Sequence, residues 1–209
     1  MTTRLFRSAL LFAAIVCTPA LLQAHHAEFM VDKAFSQGMS MPLHGVDHML
    51  VIIAVGLIAA QLGGRAVWAI PSVFMVSILM GGLLNVAGVP IPFLEFGILA
   101  SVALCGGMLA WGRAMSLTAT VGTVSVFAVL HGEALIANDG FVRSLPLFVL
   151  GCVASAAFLL AIGISLGVLL RKAHQTSGYR YAGFAVIAIA VVIGAFPNVN
   201  DFAIRLLEN

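Results

Sequence analysis

Charge is scarce in this sequence. Asp and Glu number 8 and Lys and Arg 10, so 9% of the 209 residues are charged, against about 25% in a soluble domain. So few ionised side chains cannot cover a water-facing surface, and a soluble fold is excluded on that ground. The net charge of +2 offers no basic field, and aromatic and basic residues do not interleave. Together these exclude a nucleic-acid partner. Cysteine is scarce as well: Cys17, Cys105 and Cys152 form no CxxC pair. Cys105 and Cys152 lie in apolar runs and read as small buried hydrophobes. What is abundant is apolar. Hydrophobic residues make up 62% of the chain and glycine contributes 21 positions. Lipid is the solvent that suits this composition, and small residues suit closely packed membrane helices.

Residues 1–24 read as a cleaved signal peptide. Arg4 and Arg7 form the charged start, Ala9 to Cys17 a short apolar core, and Leu22-Gln23-Ala24 the cleavage region. Cleavage leaves His25-His26 at a new amino terminus, followed by an extracytoplasmic segment over 25–42. Six apolar segments then fill 43–196, near 43–62, 66–87, 92–112, 115–137, 144–170 and 179–196. Each is close to the roughly 20 residues that cross a hydrocarbon core as a helix. Their continuity rules against strands. Gly63-Gly64, Gly88 with Pro90 and Pro92, Gly112, Asn138-Asp139-Gly140 and a polar loop from Arg171 to Tyr179 separate them. Residues 197–209 form a carboxyl-terminal tail. The expectation is an all-α integral membrane protein with about six transmembrane helices. Arg65, Arg113, Arg171, Lys172 and Arg180 fall in the connections that the signal peptide makes cytoplasmic; Lys33, Arg143 and Arg205 fall outside. The positive-inside bias therefore gives the same orientation as the signal peptide, with the amino terminus extracytoplasmic in a bacterial inner membrane.

Ionisable residues within apolar spans are costly and mark pathways or sites. The first span opens Met41-Pro42-Leu43-His44-Gly45-Val46-Asp47-His48. On an unbroken helix His44 and His48, four apart, share a face with Asp47 close by. Two imidazoles at that spacing can hold one ion. Asp47 is either a third ligand or the acceptor that orients an imidazole. The third span carries Glu95 near its start, and the fourth carries His131 and Glu133 near its end. In the alternating topology these groups lie at one depth, with Asn85 of the second span, and this convergence points to a divalent metal ion as partner. Blander readings stand beside it: a helix-to-helix hydrogen bond for His131, a first-turn acid for Glu95, packing for Met41. Glu133, two residues after His131, joins the same site only if Gly132 loosens the helix.

Several stretches carry a resemblance over essentially the whole chain. They are Pro42-Leu43 and Gly45-Val46-Asp47-His48, then Gln61 to Trp68, Gly81-Gly82-Leu83-Leu84, and Pro90 to Glu95 with Ser101. The sequence resembles the HupE/UreJ family of nickel permeases associated with hydrogenases and ureases. That resemblance implies a secondary transporter without enzymatic activity. Nickel or cobalt would be its transported substrate, no cofactor would be permanently bound, and His44, Asp47, His48, Glu95, His131 and Glu133 would form the metal site. Two departures stand out. The family's histidine six residues before the Asp-His pair is Met41 here, so His44 is expected to take its role. The family's fourth-helix pattern F-H-G-x-A-H-G-x-E reads Leu130-His131-Gly132-Glu133-Ala134 here, with Leu135 and Asn138 at the second histidine and the last glutamate.

Two other functions fit some of the same residues. One is a membrane-embedded zinc hydrolase with three histidines and an open position, although Gly45 stands where an H-E-x-x-H motif has its glutamate. The other is a metal-binding sensor or assembly factor that does not transport. No nucleotide-binding motif is present, so transport would be passive or driven by an ion gradient. The topology itself is testable with reporter fusions. A fusion at Lys172 is expected to report the cytoplasm and one at Asn138 the exterior. The opposite pattern would remove the argument from common depth.

Overall fold

Hydrocarbon offers the backbone no hydrogen-bond partner, so a chain this apolar must satisfy its peptide groups within each segment. The computed structural model describes residues 33–111, 115–136, 144–173 and 176–195, and among these there is no strand. The helices are α1 (Lys33–His44), α2 (Val46–Leu62), α3 (Ala66–Val86), α4 (Leu94–Trp111), α5 (Leu117–Leu135), α6 (Leu145–Lys172) and α7 (Thr176–Ala195). The signal peptide expected over 1–24, the His25-His26 terminus and the tail over 197–209 lie outside the described residues.

Five helices, α3 to α7, are long and apolar enough to cross a membrane. Their ends lie within three residues of the segments expected from sequence. The breakers act as their chemistry demands. Gly63 and Gly64 end α2 in the left-handed region, and Gly88 ends α3 there, a conformation that side chains with a Cβ resist. Ser116 caps α5 by accepting the Ala119 N–H at 3.2 Å. The first expected span differs. Residues 33–44 and 46–62 are two helices whose axes turn by 82° at Gly45, and only as one broken span do they make a sixth crossing. Helix α2 alone has 17 residues, about 26 Å at 1.5 Å per residue, short of a hydrocarbon core of about 30 Å. The described part of the expected segment 25–42, residues 33–42, thus belongs to α1, which packs along α6.

Helix α2 is the centre of the bundle and touches all six others. It is apolar on every side, and Val51, Ile52, Ala54, Val55, Ile58, Ala59 and Ala60 are almost wholly enclosed, as a helix surrounded by helices requires. The outer helices turn large apolar groups away from the protein: Trp68, Phe96, Leu104, Trp111 and Val191 are exposed. Such a surface is stable only against lipid. The chain is therefore a multi-pass membrane protein.

Helix association in lipid gains little from the hydrophobic effect and relies on close van der Waals contact. The four most extensive helix pairs here are α3–α5, α2–α6, α1–α6 and α4–α7. Each is built on facing glycines: Gly81 with Gly132, Gly56 with Gly163, Gly38 with Gly151, and Gly106 with Gly183. A Cβ on Gly132 would run into the Ile78 backbone, and one on Gly81 would run into the Val129 carbonyl. The backbones touch because nothing stands between them. At the other end of the bundle from His48, the Arg171 guanidinium donates to the Ala60 carbonyl at 3.4 Å. It thereby serves the unpaired carbonyls at the end of α2. The Tyr179 hydroxyl donates to the Gly167 carbonyl at 2.6 Å and ties α7 to the same region. Arg65, Arg171, Lys172 and Arg180 gather at that end.

Two glycine substitutions separate packing from propensity. Gly132→Leu is expected to push α5 off α3 and lower the thermal midpoint in detergent, since overpacking costs about 1–3 kcal/mol or more. Gly122 lies on the same helix with open space around its Cβ position. Gly122→Ala is expected to leave the midpoint unchanged or raise it slightly. Equal midpoints for the two variants would show that the glycine crossing contributes nothing.

Candidate metal site

The site begins at the break between α1 and α2. Gly45 adopts an extended conformation, with φ −103° and ψ 115°, and heads α2. A Cβ there would meet Asp47 Oδ1 at 2.6 Å and His48 Cγ at 3.3 Å. The missing side chain therefore makes room for the Asp47 and His48 side chains to fold back over the helix start. Asp47 lies in the first turn of α2, where the helix dipole favours an anion. Its Oδ1 accepts the His48 backbone N–H at 2.9 Å, one of the donors that a helix start leaves unpaired. The same oxygen is 3.2 Å from His48 Nδ1, and both side chains are largely buried.

His131 arrives from the last turn of α5. Its neighbour Gly132 seats that turn against the backbone of α3, and the imidazole, fully enclosed, reaches α2 and α4. Its Nδ1 lies 3.2 Å from His48 Nδ1. The two rings meet edge to face, with centroids 4.8 Å apart and an interplanar angle of 74°. On its far side, His131 Nε2 lies 2.8 Å from Ser101 Oγ of α4. Ser101 is fully buried, and its hydroxyl donates to the Ile98 carbonyl at 2.6 Å. Three helices thus meet through a continuous polar line, Asp47–His48–His131–Ser101. An unpaired polar group at such a depth would cost a few kcal/mol, and each member of the line has a partner.

The remaining residues expected at the site stand apart from this line. His44 and His48 are in different helices, because the break at Gly45 falls between them. A shared face at four-residue spacing needs an unbroken helix. The exposed His44 donates from Nδ1 to the Ser40 carbonyl at 2.7 Å, folded onto its own helix. Met41 packs among the apolar residues of the core. Glu95 is exposed in the first turn of α4. Glu133 is buried where α5 crosses α3. Helix α5 is continuous through Gly132, and two residues along a helix turn a side chain by about 200°. Glu133 therefore leaves α5 on another side from His131. Among the described residues, no three His, Cys, Asp or Glu side chains form a ready metal cage; Asp47 and His131 are joined through His48 instead of surrounding a common centre. Ser101 is not among the site residues expected from sequence. Its signal in the sequence is modest: it is the one hydroxyl in the apolar run of α4.

Comparison with known proteins agrees over nearly the whole chain. The family model described as HupE / UreJ protein matches residues 13–193. Protein HupE of Rhizobium leguminosarum bv. viciae is 32% identical over 177 residues, which covers 83% of this chain and 90% of that protein. No solved structure matches. A chain matched over residues 13–193 by the family model, and over most of its length by a curated relative, belongs to the HupE/UreJ family.

Proposed function

We propose that this protein is a permease that carries a divalent transition-metal ion, nickel first and cobalt second, across the bacterial inner membrane. The family consists of hydrogenase and urease accessory proteins for nickel and cobalt transport. The chain is accordingly not an enzyme. The observation that carries the reading is the contact between His48 and His131, with Asp47 on the same imidazole, inside an apolar bundle. Ionisable groups from separate helices are expensive to assemble at such depth, and an ion that binds them repays that cost.

The spacing suits the chemistry. Two imidazole nitrogens bound to one ion at about 2.1 Å stand roughly 3.0 Å apart at a right angle and roughly 3.4 Å apart at a tetrahedral one. The observed separation of 3.2 Å lies between. Nickel and cobalt both accept imidazole and carboxylate. Two imidazoles and one carboxylate leave coordination positions for water, which suits an ion in transit better than one held permanently. Glu95 stands six residues before Ser101, about 9 Å along α4, and in this reading it draws the hydrated ion toward the site. His44, across the bend, lines the entrance. Glu133 receives the ion only after a rearrangement at the α3–α5 crossing. The amino terminus is assigned outside, with the basic end of the bundle in the cytoplasm. The zinc-hydrolase reading loses support because the family consists of accessory transport proteins and not of enzymes.

Uptake of radioactive nickel by cells and by vesicles containing the purified protein tests this. Asp47→Ala, His48→Ala and His131→Ala are each expected to reduce accumulation at least about tenfold, as loss of a ligand does, at unchanged protein level. Glu95→Gln and His44→Ala are expected to raise the half-saturating nickel concentration and leave the maximal rate close to normal. Near-normal uptake by the first three variants would make the polar line structural. Binding of nickel without vesicle uptake would instead identify a sensor or assembly factor.

A further inference from the structure

We propose that Ser101 is a positioning residue that fixes the tautomer of His131, so that His131 offers Nδ1 toward His48 and Asp47. Ser101 Oγ lies 2.6 Å from the Ile98 carbonyl oxygen. Two oxygens this close need a hydrogen between them, and a carbonyl has none to give, so the serine proton is committed there. Ser101 Oγ also lies 2.8 Å from His131 Nε2. With the hydroxyl proton already used, that bond exists only if Nε2 carries the hydrogen and the serine oxygen accepts it. A neutral imidazole has one N–H. His131 Nδ1 is therefore a bare lone pair, aimed at His48 Nδ1 3.2 Å away.

The rest of the line follows from this. His131 Nδ1 can only accept, so in the metal-free protein the hydrogen between the two rings belongs to His48 Nδ1. The Asp47 carboxylate lies 3.2 Å from that same nitrogen and can likewise only accept. One proton thus lies among three groups able to bind a cation: His131 Nδ1, His48 Nδ1 and Asp47 Oδ1. A divalent ion replaces that proton. His48 would then carry its hydrogen at Nε2 instead, and His131 would need no change of tautomer, because its hydrogen is already held at Nε2 by Ser101. The tautomer assignment is independent of transport, and its consequence for the ion rests on the permease reading above. The chemistry is that of outer groups that orient a metal-binding histidine, here supplied by a serine whose own proton is spent on its helix.

The test uses the full protein in detergent, metal-free, with nitrogen-15 in the histidine rings. Nitrogen–proton correlation spectra distinguish the two tautomers, and the His131 signals are assigned by their loss in His131→Gln. The wild-type spectrum is expected to show His131 protonated at Nε2 and bare at Nδ1. Ser101→Ala is expected to convert it to the other tautomer or to an averaged pattern. Ser101→Thr, which keeps the hydroxyl, is expected to restore the wild-type pattern. In nickel uptake, Ser101→Ala is expected to raise the half-saturating concentration by about tenfold, with the maximal rate much less affected and with rescue by Ser101→Thr. A wild-type His131 protonated at Nδ1 overturns the proposal, and so does an unchanged His131 pattern in Ser101→Ala. The wild-type spectrum decides the matter even if a variant fails to fold. If wild-type protein shows the expected tautomer but carries no nickel, the permease reading fails and the role of Ser101 in setting the tautomer stands.

Discussion

Direct backbone contact between helices is the constraint on which everything else in this bundle depends. Lipid tails compete with apolar side chains on equal terms, so the helices hold together only where they approach closely enough for dense contact. Glycine provides that approach at four crossings. The consequence reaches the site directly. Gly132 seats the end of α5 against α3, and the adjacent His131 is held at the depth of the first turn of α2. A bulkier residue at the crossing would carry the imidazole away from His48.

The central helix joins both ends of this arrangement. Its carbonyl end is served by Arg171, and its amide end by the Asp47 carboxylate. Asp47 thus satisfies a helix start and polarises an imidazole with one oxygen. Gly45 makes this possible in two ways: it interrupts the helix, and it leaves the space that the Asp47 and His48 side chains occupy. The bend and the site are one feature. A continuous helix from Lys33 to Leu62 would satisfy the backbone equally well, but it would leave no unpaired first-turn donors at His48 for a carboxylate to meet.

Much of the fold was legible in the sequence. Run lengths located α3 to α7 to within a few residues, because crossing hydrocarbon sets a minimum length and glycine and proline mark its limits. Cys105 and Cys152 are buried, free thiols, as apolar runs require. Parts of the site were legible too. Asp47, His48 and His131 stood out because ionisable groups are rare in such spans, and alternating helices put them at one level. His44 was drawn into the same cluster by its four-residue spacing, an inference that holds only along an unbroken helix.

Solvent and secondary structure are settled locally, before any helix meets another. These depend on composition and on periods along the chain. Which groups touch was decided by tertiary structure alone. That His131 faces His48 and Ser101 while Glu133 leaves α5 on another side, and that His44 folds onto α1, depend on the break at Gly45 and on which helix backs onto which glycine. Those are relations between segments far apart in the chain, 83 residues in the case of His48 and His131. A periodic pattern within one helix fixes the direction of a side chain relative to its own axis, and only the packing of the axes fixes what that direction meets.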